Sequence, residues 1–586
     1  MSIRVSRRKL MESLAVAGAA WPLDAGAAPF SLGVAPPAAP GVLPLASTSD
    51  VYIPPRGRAL LKFSYGFPEP SIEFGGLLFS FRVYTFENTY GLAAGHIRLR
   101  RTDGSLALDC DRLVWAGGQE TAAGRLRARF RRLQQGVEWS AEVEMERPVK
   151  SLAAILRRVP RGKISVNGDD FFDPRDDELL FRYPPPGITT PAVVIETPEK
   201  RYFSLSCRDT QVRPNRFYLQ PGPEMYRAEL VYEAAGWEKS PRLQTPNWRA
   251  AWAPSLQQAY APHMAHVERA FRLVSWEARR DVPAWARDIQ LVLALHGMHW
   301  TGYIFNDFAR MRRILEWTAA RIPGRRVMIF LPAWDGRYYW NYPLYRPDPR
   351  LGGAAGLRQL IRRGHELGFH FVLMFGANGA NDKLPVFPQI AAGAQRRIDG
   401  NPYYIDWVDW DNDRQSEGWM PYMNLGEPAW RDWLAGRIHA ALVESGADGY
   451  FLDIAGFWVN NLSADNFVGN RQLAESLRRR LPNVLACGEM HYDALLNFLP
   501  IFQVFSGRSY PTFSRYARAF EHLSTPAPGR GSTGCHEFGF GRFNPKTLNL
   551  NPDQIPTITM VDDTFAKYRA TIEKIIAVAK SRSPVR

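Results

Sequence analysis

The reactive side chains of this chain gather where apolar runs stop. The segment Gly446-Ala447-Asp448-Gly449-Tyr450-Phe451-Leu452-Asp453 passes from a helix-ending glycine through an apolar strand to a carboxylate, and Asn483-Val484-Leu485-Ala486-Cys487-Gly488-Glu489-Met490-His491 does the same up to Glu489. Two carboxyl groups on neighbouring strand ends can divide acid and base work between them, because mutual repulsion separates their pKa values. Other apolar runs lead into polar residues as well: His299 and Trp300, Trp334 and Asp335, Asn378 and Asn381, His536 and Glu537, Asp562 and Asp563. Acids crowded on one rim are unfavourable, so their clustering points to use. Asp448, at a strand start, reads as structural.

The elements that would carry these residues follow from periodicity. From Val282 onward short apolar runs alternate with amphipathic helical segments, the pattern of βα units and a parallel sheet. Expected strands are Leu291 to Leu295, Val327 to Leu331, Phe369 to Phe375, Gly449 to Leu452, Val484 to Ala486, Phe502 to Phe505, one near Gly534 to Phe538, and Ile558 to Val561. Expected helices are Asp307 to Arg321, Ala355 to Leu367, Ala429 to Ser445, Arg471 to Leu481, Thr512 to His522 and Thr564 to Lys580. Eight strands over this length fit a (β/α)₈ TIM barrel, whose reacting residues stand at the C-terminal strand ends. A nucleotide-binding open sheet is disfavoured, since no glycine-rich phosphate turn follows any strand.

Upstream, runs such as Gly76 to Val83 and Val137 to Glu144 are separated by turns such as Thr102-Asp103-Gly104 and Asn167-Gly168-Asp169. Strands without helical periods between them imply a β-sandwich. The fold class is therefore multidomain, β plus α/β: a β-sandwich over 51–275 followed by a (β/α)₈ barrel over 282–586. Residues 28–50, rich in Ala, Pro and Gly, read as a linker. Ser6-Arg7-Arg8-Lys9-Leu10, an apolar run from Leu14 to Leu23 and Ala25-Gly26-Ala27 resemble a twin-arginine signal peptide over 1–27, which implies the twin-arginine export machinery as a partner and a periplasmic or secreted product. No run is long enough to span a bilayer, so no stable membrane insertion is expected.

The formal net charge is +15, and the arginines responsible are spread along the chain. Nucleic acid is not the expected partner, because no basic tail or stripe is present. An anionic polysaccharide or lipid surface would still be concentrated by such a field. Cys110, Cys207, Cys487 and Cys535 lack zinc or disulfide spacing and read as small buried hydrophobes. The load of 18 Trp and 23 Tyr suits sugar rings as well as cores, with Trp300, Trp334, Trp340 and the run Asp406-Trp407-Val408-Asp409-Trp410-Asp411 as stacking walls.

The run ending at Asp453 resembles the nucleophile strand of retaining glycosidases in the α-amylase-like group of barrels, and the run ending at Glu489 resembles their acid/base strand. Pro332-Ala333-Trp334-Asp335-Gly336-Arg337-Tyr338, Pro347-Asp348-Pro349-Arg350-Leu351-Gly352-Gly353 and Met423-Asn424-Leu425-Gly426-Glu427-Pro428-Ala429-Trp430 are similar to the loops and helix entries of those barrels. A large β-domain before the barrel is similar to endo-α-N-acetylgalactosaminidases. The resemblance implies a carbohydrate substrate, no cofactor and no metal, with Asp453 as nucleophile and Glu489 as acid/base. His299, Trp300, Trp334, Asp335, Asn378, His491, Glu537 and Asp562 are then substrate-binding candidates, with Glu537 a reserve acid. Carboxyl groups about 5 to 5.5 Å apart would suit double displacement.

Three other readings compete. Acids at strand ends also serve as helix caps or ion-pair partners, and a lone His is usually a satisfied polar residue. The barrel could bind carbohydrate without turnover. A metal-dependent hydrolase would use His296, His299 and Asp562, although residues three apart on a strand face opposite sides.

Overall fold

The structure, a computed structural model, describes residues 41–43, 69–168, 171–185, 187–299, 302–337, 339–405, 418–504, 511–521, 554–561 and 564–582. The regions read as signal peptide, most of the linker, Trp300, Asp406 to Asp411, Cys535, His536, Glu537, Asp562, Asp563 and the strand near Gly534 to Phe538 lie outside the described residues.

The first part is an antiparallel network of seventeen strands. One run of neighbours is Ser71–Phe74, Leu77–Thr85, Val149–Pro160, Met225–Glu233, Asn215–Pro221 and Leu179–Tyr183. A second is Ile97–Thr102, Ser105–Trp115, Glu120–Leu133, Gly136–Met145, Asn247–Ala253, Tyr202–Arg208, Ala192–Glu196 and Lys163–Val166. Thr89–Leu92 joins the two by pairing with a strand of each. The runs face one another through Phe79, whose ring lies 5.0 Å from Phe130 and 5.1 Å from Trp139. Alternation along Leu77–Thr85 then turns Ser80, Arg82 and Tyr84 away from that core.

The outward face of the first run is buried as well, and it is charged. Glu69 accepts hydrogen bonds from Arg82, Arg157 and Arg227, while Glu229 pairs with Arg227. These attractions outweigh the cost of burial and hold the Glu69 carboxyl below its ordinary range. Two features depart from the sequence reading: Val42–Leu43, inside the expected linker, pairs with Ser71 and Ile72, and Leu256–Ala270 is a helix packed on the second run. Ser255 caps that helix by accepting from Gln258 N.

The second part is a parallel eight-stranded sheet in chain order: Leu291–Leu295, Val327–Leu331, His370–Gly376, Gly449–Asp453, Leu485–Glu489, Ile501–Val504, Arg518–Glu521 and Thr557–Met560. The eighth strand pairs with the first, and a bridge between Phe520 and Ile555 links seventh to eighth, so the barrel is nearly closed. Helices Phe308–Ala319, Gly353–Glu366, Pro428–Ser445 and Asn466–Arg480 lie close to expectation, two of them capped by Asp307 and Asp465. The helix expected over Thr512 to His522 is a correction: only Pro511–Ser514 is helical, and Arg518–Glu521 is the seventh strand. Its apolar residues fall at helical spacing, but pairing with Ile501–Val504 overrides that local pattern. Thr564 to Lys580 is also split, into Thr564–Lys567 and Arg569–Ser581. Among the described residues no helix is long and apolar enough to cross a membrane.

Candidate active site

Phe330, Phe451 and Phe520, from the second, fourth and seventh strands, meet inside the barrel with centroids 4.6 to 6.2 Å apart. Asp453 is two residues beyond Phe451 and so points into the same lumen, one layer nearer the C-terminal mouth. Cys487 is level with Phe451, which places Glu489 level with Asp453 on the next strand. Both acids are buried, at 2% and 4% exposure, and their carboxyl groups share a hydrogen bond. Burial raises the Glu489 pKa, and two adjacent buried carboxylates cannot both ionise cheaply. Hydrogen-bond contact is a closer approach than the about 5 to 5.5 Å that suits double displacement, so a sugar entering between them must part the pair.

The backbone after each acid is forced. Ile454 and Met490 both have left-handed φ values, 49° and 56°, and Ala333, Tyr339 and Tyr345 share that conformation in the loop after the second strand. Such a residue costs on the order of 1–3 kcal/mol, most for a β-branched side chain, and persists only where its surroundings impose it. Here the turn at Ile454 aims its N–H at Glu489 Oε2, 2.9 Å away. Gly456 N donates to the Glu489 carbonyl at 2.9 Å, and a Cβ on Gly456 would lie 2.6 Å from Met490 Cβ. The two acid-bearing loops therefore interlock.

Tyrosines from the second loop complete the mouth. The Tyr342 ring occupies the space where a Cβ on Gly376 would be, 2.1 Å from its ring carbon, and its hydroxyl donates to Asp453 Oδ2 over 3.5 Å. Tyr345 Oη donates to Gly376 O and accepts from Gly376 N, fixing the end of the third strand. Asp335 is buried beside this group, with Oδ2 lacking any hydrogen-bond partner, and burial pushes its pKa up to about 7, with a further contribution from Asp348. Either protonation state of this carboxyl offers an unmet hydrogen-bonding group.

The other sequence candidates divide. Asn378 is fully buried and donates to Ile454 O, so it positions the loop after Asp453. Trp334, expected as a stacking wall, is enclosed: its indole N–H donates to Met374 O, its ring meets Phe375 edge to face, and it is fully buried. His491 is held between Phe502 and Phe513, and burial lowers its pKa to about 3. His299 has its ring near Phe305, as does His296, whose pKa burial also lowers to about 3. Asn381 braces the tyrosine loop through Trp340 O. Asp448 anchors the neighbouring strand by accepting from Phe371 N. Among the described residues no group of three or more His, Cys, Asp or Glu is arranged to hold a metal, and Asp562 of the metal reading lies outside them. Sequence reasoning missed Tyr342 and Tyr345, whose only signal was the aromatic density of residues 338–345.

No family model and no curated relative matches this chain by sequence. Solved structures do match by shape. The ligand-free α-N-acetylgalactosaminidase NagBb from Bifidobacterium bifidum superposes with a TM-score of 0.59 at 14% identity, over 88% of this chain and 94% of that one. A quadruple mutant of NagBb gives 0.60 at 14% identity over 88% and 90%, and its GalNAc complex gives 0.58 at 15% over 79% and 78%. At such identity the likeness is one of fold.

Proposed function

We propose that this protein is an exported glycoside hydrolase that cleaves a glycosidic bond in a polysaccharide or glycoconjugate with retention of configuration. The observation that carries the reading is the pair of buried carboxyl groups, Asp453 and Glu489, level with each other on neighbouring strands and within hydrogen-bonding reach at the barrel mouth. Asp453 is the nucleophile, its charge supported by the Tyr342 hydroxyl. Glu489, whose pKa burial raises, is the acid. An Asp453 oxygen bonds to the anomeric carbon as the glycosidic C–O bond breaks, and the departing oxygen takes the Glu489 proton. A water then returns a proton to Glu489 while its oxygen bonds to the anomeric carbon and frees Asp453. Asp335 orients a sugar hydroxyl.

The fold neighbours support this reading, since the enzyme that this chain superposes on is named an α-N-acetylgalactosaminidase. Aryl α-N-acetylgalactosaminides are therefore the first substrates to screen. Export rests on Arg7-Arg8 and the apolar run after them. The test is hydrolysis followed by NMR of the first-formed anomer, with Asp453→Asn and Glu489→Gln as controls. Retained configuration and loss of turnover with binding preserved in both variants is the expected result; turnover surviving both removes the assignment, and binding without turnover in the unaltered protein leaves a carbohydrate-binding barrel.

A further inference from the structure

A cavity of about 980 Å³ lies between the charged outer face of the first strand run and the loop that follows Asp453. Its barrel side is Tyr403, Trp458 and Asn460; Trp458 is five residues beyond Asp453, and its N–H donates to Pro185 O across the boundary. The volume is at the upper end for small-ligand sites, with room for more than one sugar ring. Trp458 is almost wholly buried and the Tyr403 ring already contacts Tyr422 and Arg397, so these side chains shape the wall of the cavity.

The charges lining this cavity are unbalanced. Each of its three carboxylates already faces an arginine: Glu87 with Arg147 at 3.9 Å, Glu229 with Arg227 at 2.5 Å and Glu233 with Arg216 at 3.2 Å. Lys150 and Arg182 also line it and form no ion pair among the described residues. A neutral ligand would leave these two cations uncompensated as water is displaced, whereas an anionic group pairs with them in a partly desolvated setting where such contacts are strongest. The chain's net charge of +15 adds a field that concentrates anions.

We propose that this cavity binds an acidic glycan segment, its carboxylate or sulfate groups on Lys150 and Arg182. This names the substrate class for the cleavage proposed above and rests on that reading only for the fate of the bound chain. The experiment is calorimetric titration of the full-length protein with a galacturonate hexamer, a chondroitin sulfate hexasaccharide and maltohexaose, at low and at physiological ionic strength. At least one acidic probe binds about tenfold or more tighter than maltohexaose, weakens with salt, and loses that advantage in the Lys150→Ala, Arg182→Ala double variant. Arg182 is exposed and Lys150 half-buried, and a thermal melt verifies that the double variant is folded. The proposal is overturned if neither acidic probe outbinds maltohexaose, or if the double variant binds as the parent does. Asp453→Asn protein binds the probes unchanged, so failure of the cleavage chemistry and failure of this site are read separately.

Discussion

Within the barrel lumen, one layer is filled by the rings of Phe330, Phe451 and Phe520, and the next layer holds Asp453, two residues beyond Phe451, and Glu489, two residues beyond Cys487 on the neighbouring strand. Both layers are equally dry, yet they act in opposite directions. Ring packing in the lower layer stabilises the fold, while acids in the upper layer cost stability because the same exclusion of water disfavours their charge. The strands are thus scaffold up to their penultimate position and site beyond it.

Substitutions two residues apart test that division most directly. Asp453→Asn is expected to lower kcat by about 10³-fold or more without lowering thermal stability. Phe451→Ala is expected to cost about 3–5 kcal/mol in urea unfolding, while the folded fraction keeps kcat within about tenfold of the parent. If the two variants fail in the same way, the layers are not distinct. Gly376→Ala probes their boundary: the added methyl displaces the Tyr342 ring, and kcat is expected to fall on the order of 10²-fold with little change in melting temperature.

A smaller effect comes from Asp335. Its folded pKa of about 7 lies above the ordinary carboxyl value, so the stability from keeping it neutral is full below about pH 4 and is lost as pH rises through about 7. Asp335→Asn is therefore expected to exceed the parent in stability at pH 8 by on the order of 2 kcal/mol, with the gap closing toward pH 4 in melts across that range. Smallest is Tyr342→Phe, which removes one long hydrogen bond to Asp453. A kcat/KM loss of about tenfold or less, with the acidic limb of the pH profile moved upward, is expected.

The barrel was legible because its strands are buried on both faces and read as apolar runs; Leu291–Leu295 and Val327–Leu331 lie where those runs place them. Asp453 and Glu489 were visible for the same reason, each being the first acid after such a run. The seventh strand was not, since Phe513, Tyr516, Ala517 and Phe520 have helical spacing and only the neighbouring strand reveals the extended form. Tyr342 and Tyr345 escaped because a loop has no periodicity to place its side chains. The buried charge network around Glu69 was equally hidden, as its members come from strands far apart in sequence.

The contact between Gly456 and Met490 ties together the short stretches that carry the two acids. A side chain added at Gly456 displaces Met490, so inherited change in one stretch is tolerated only alongside matching change in the other. Residues 453–457 and 489–491 should accordingly drift as a single heritable block, and libraries aimed at altering this protein's preferences will yield more working clones if both are randomised together.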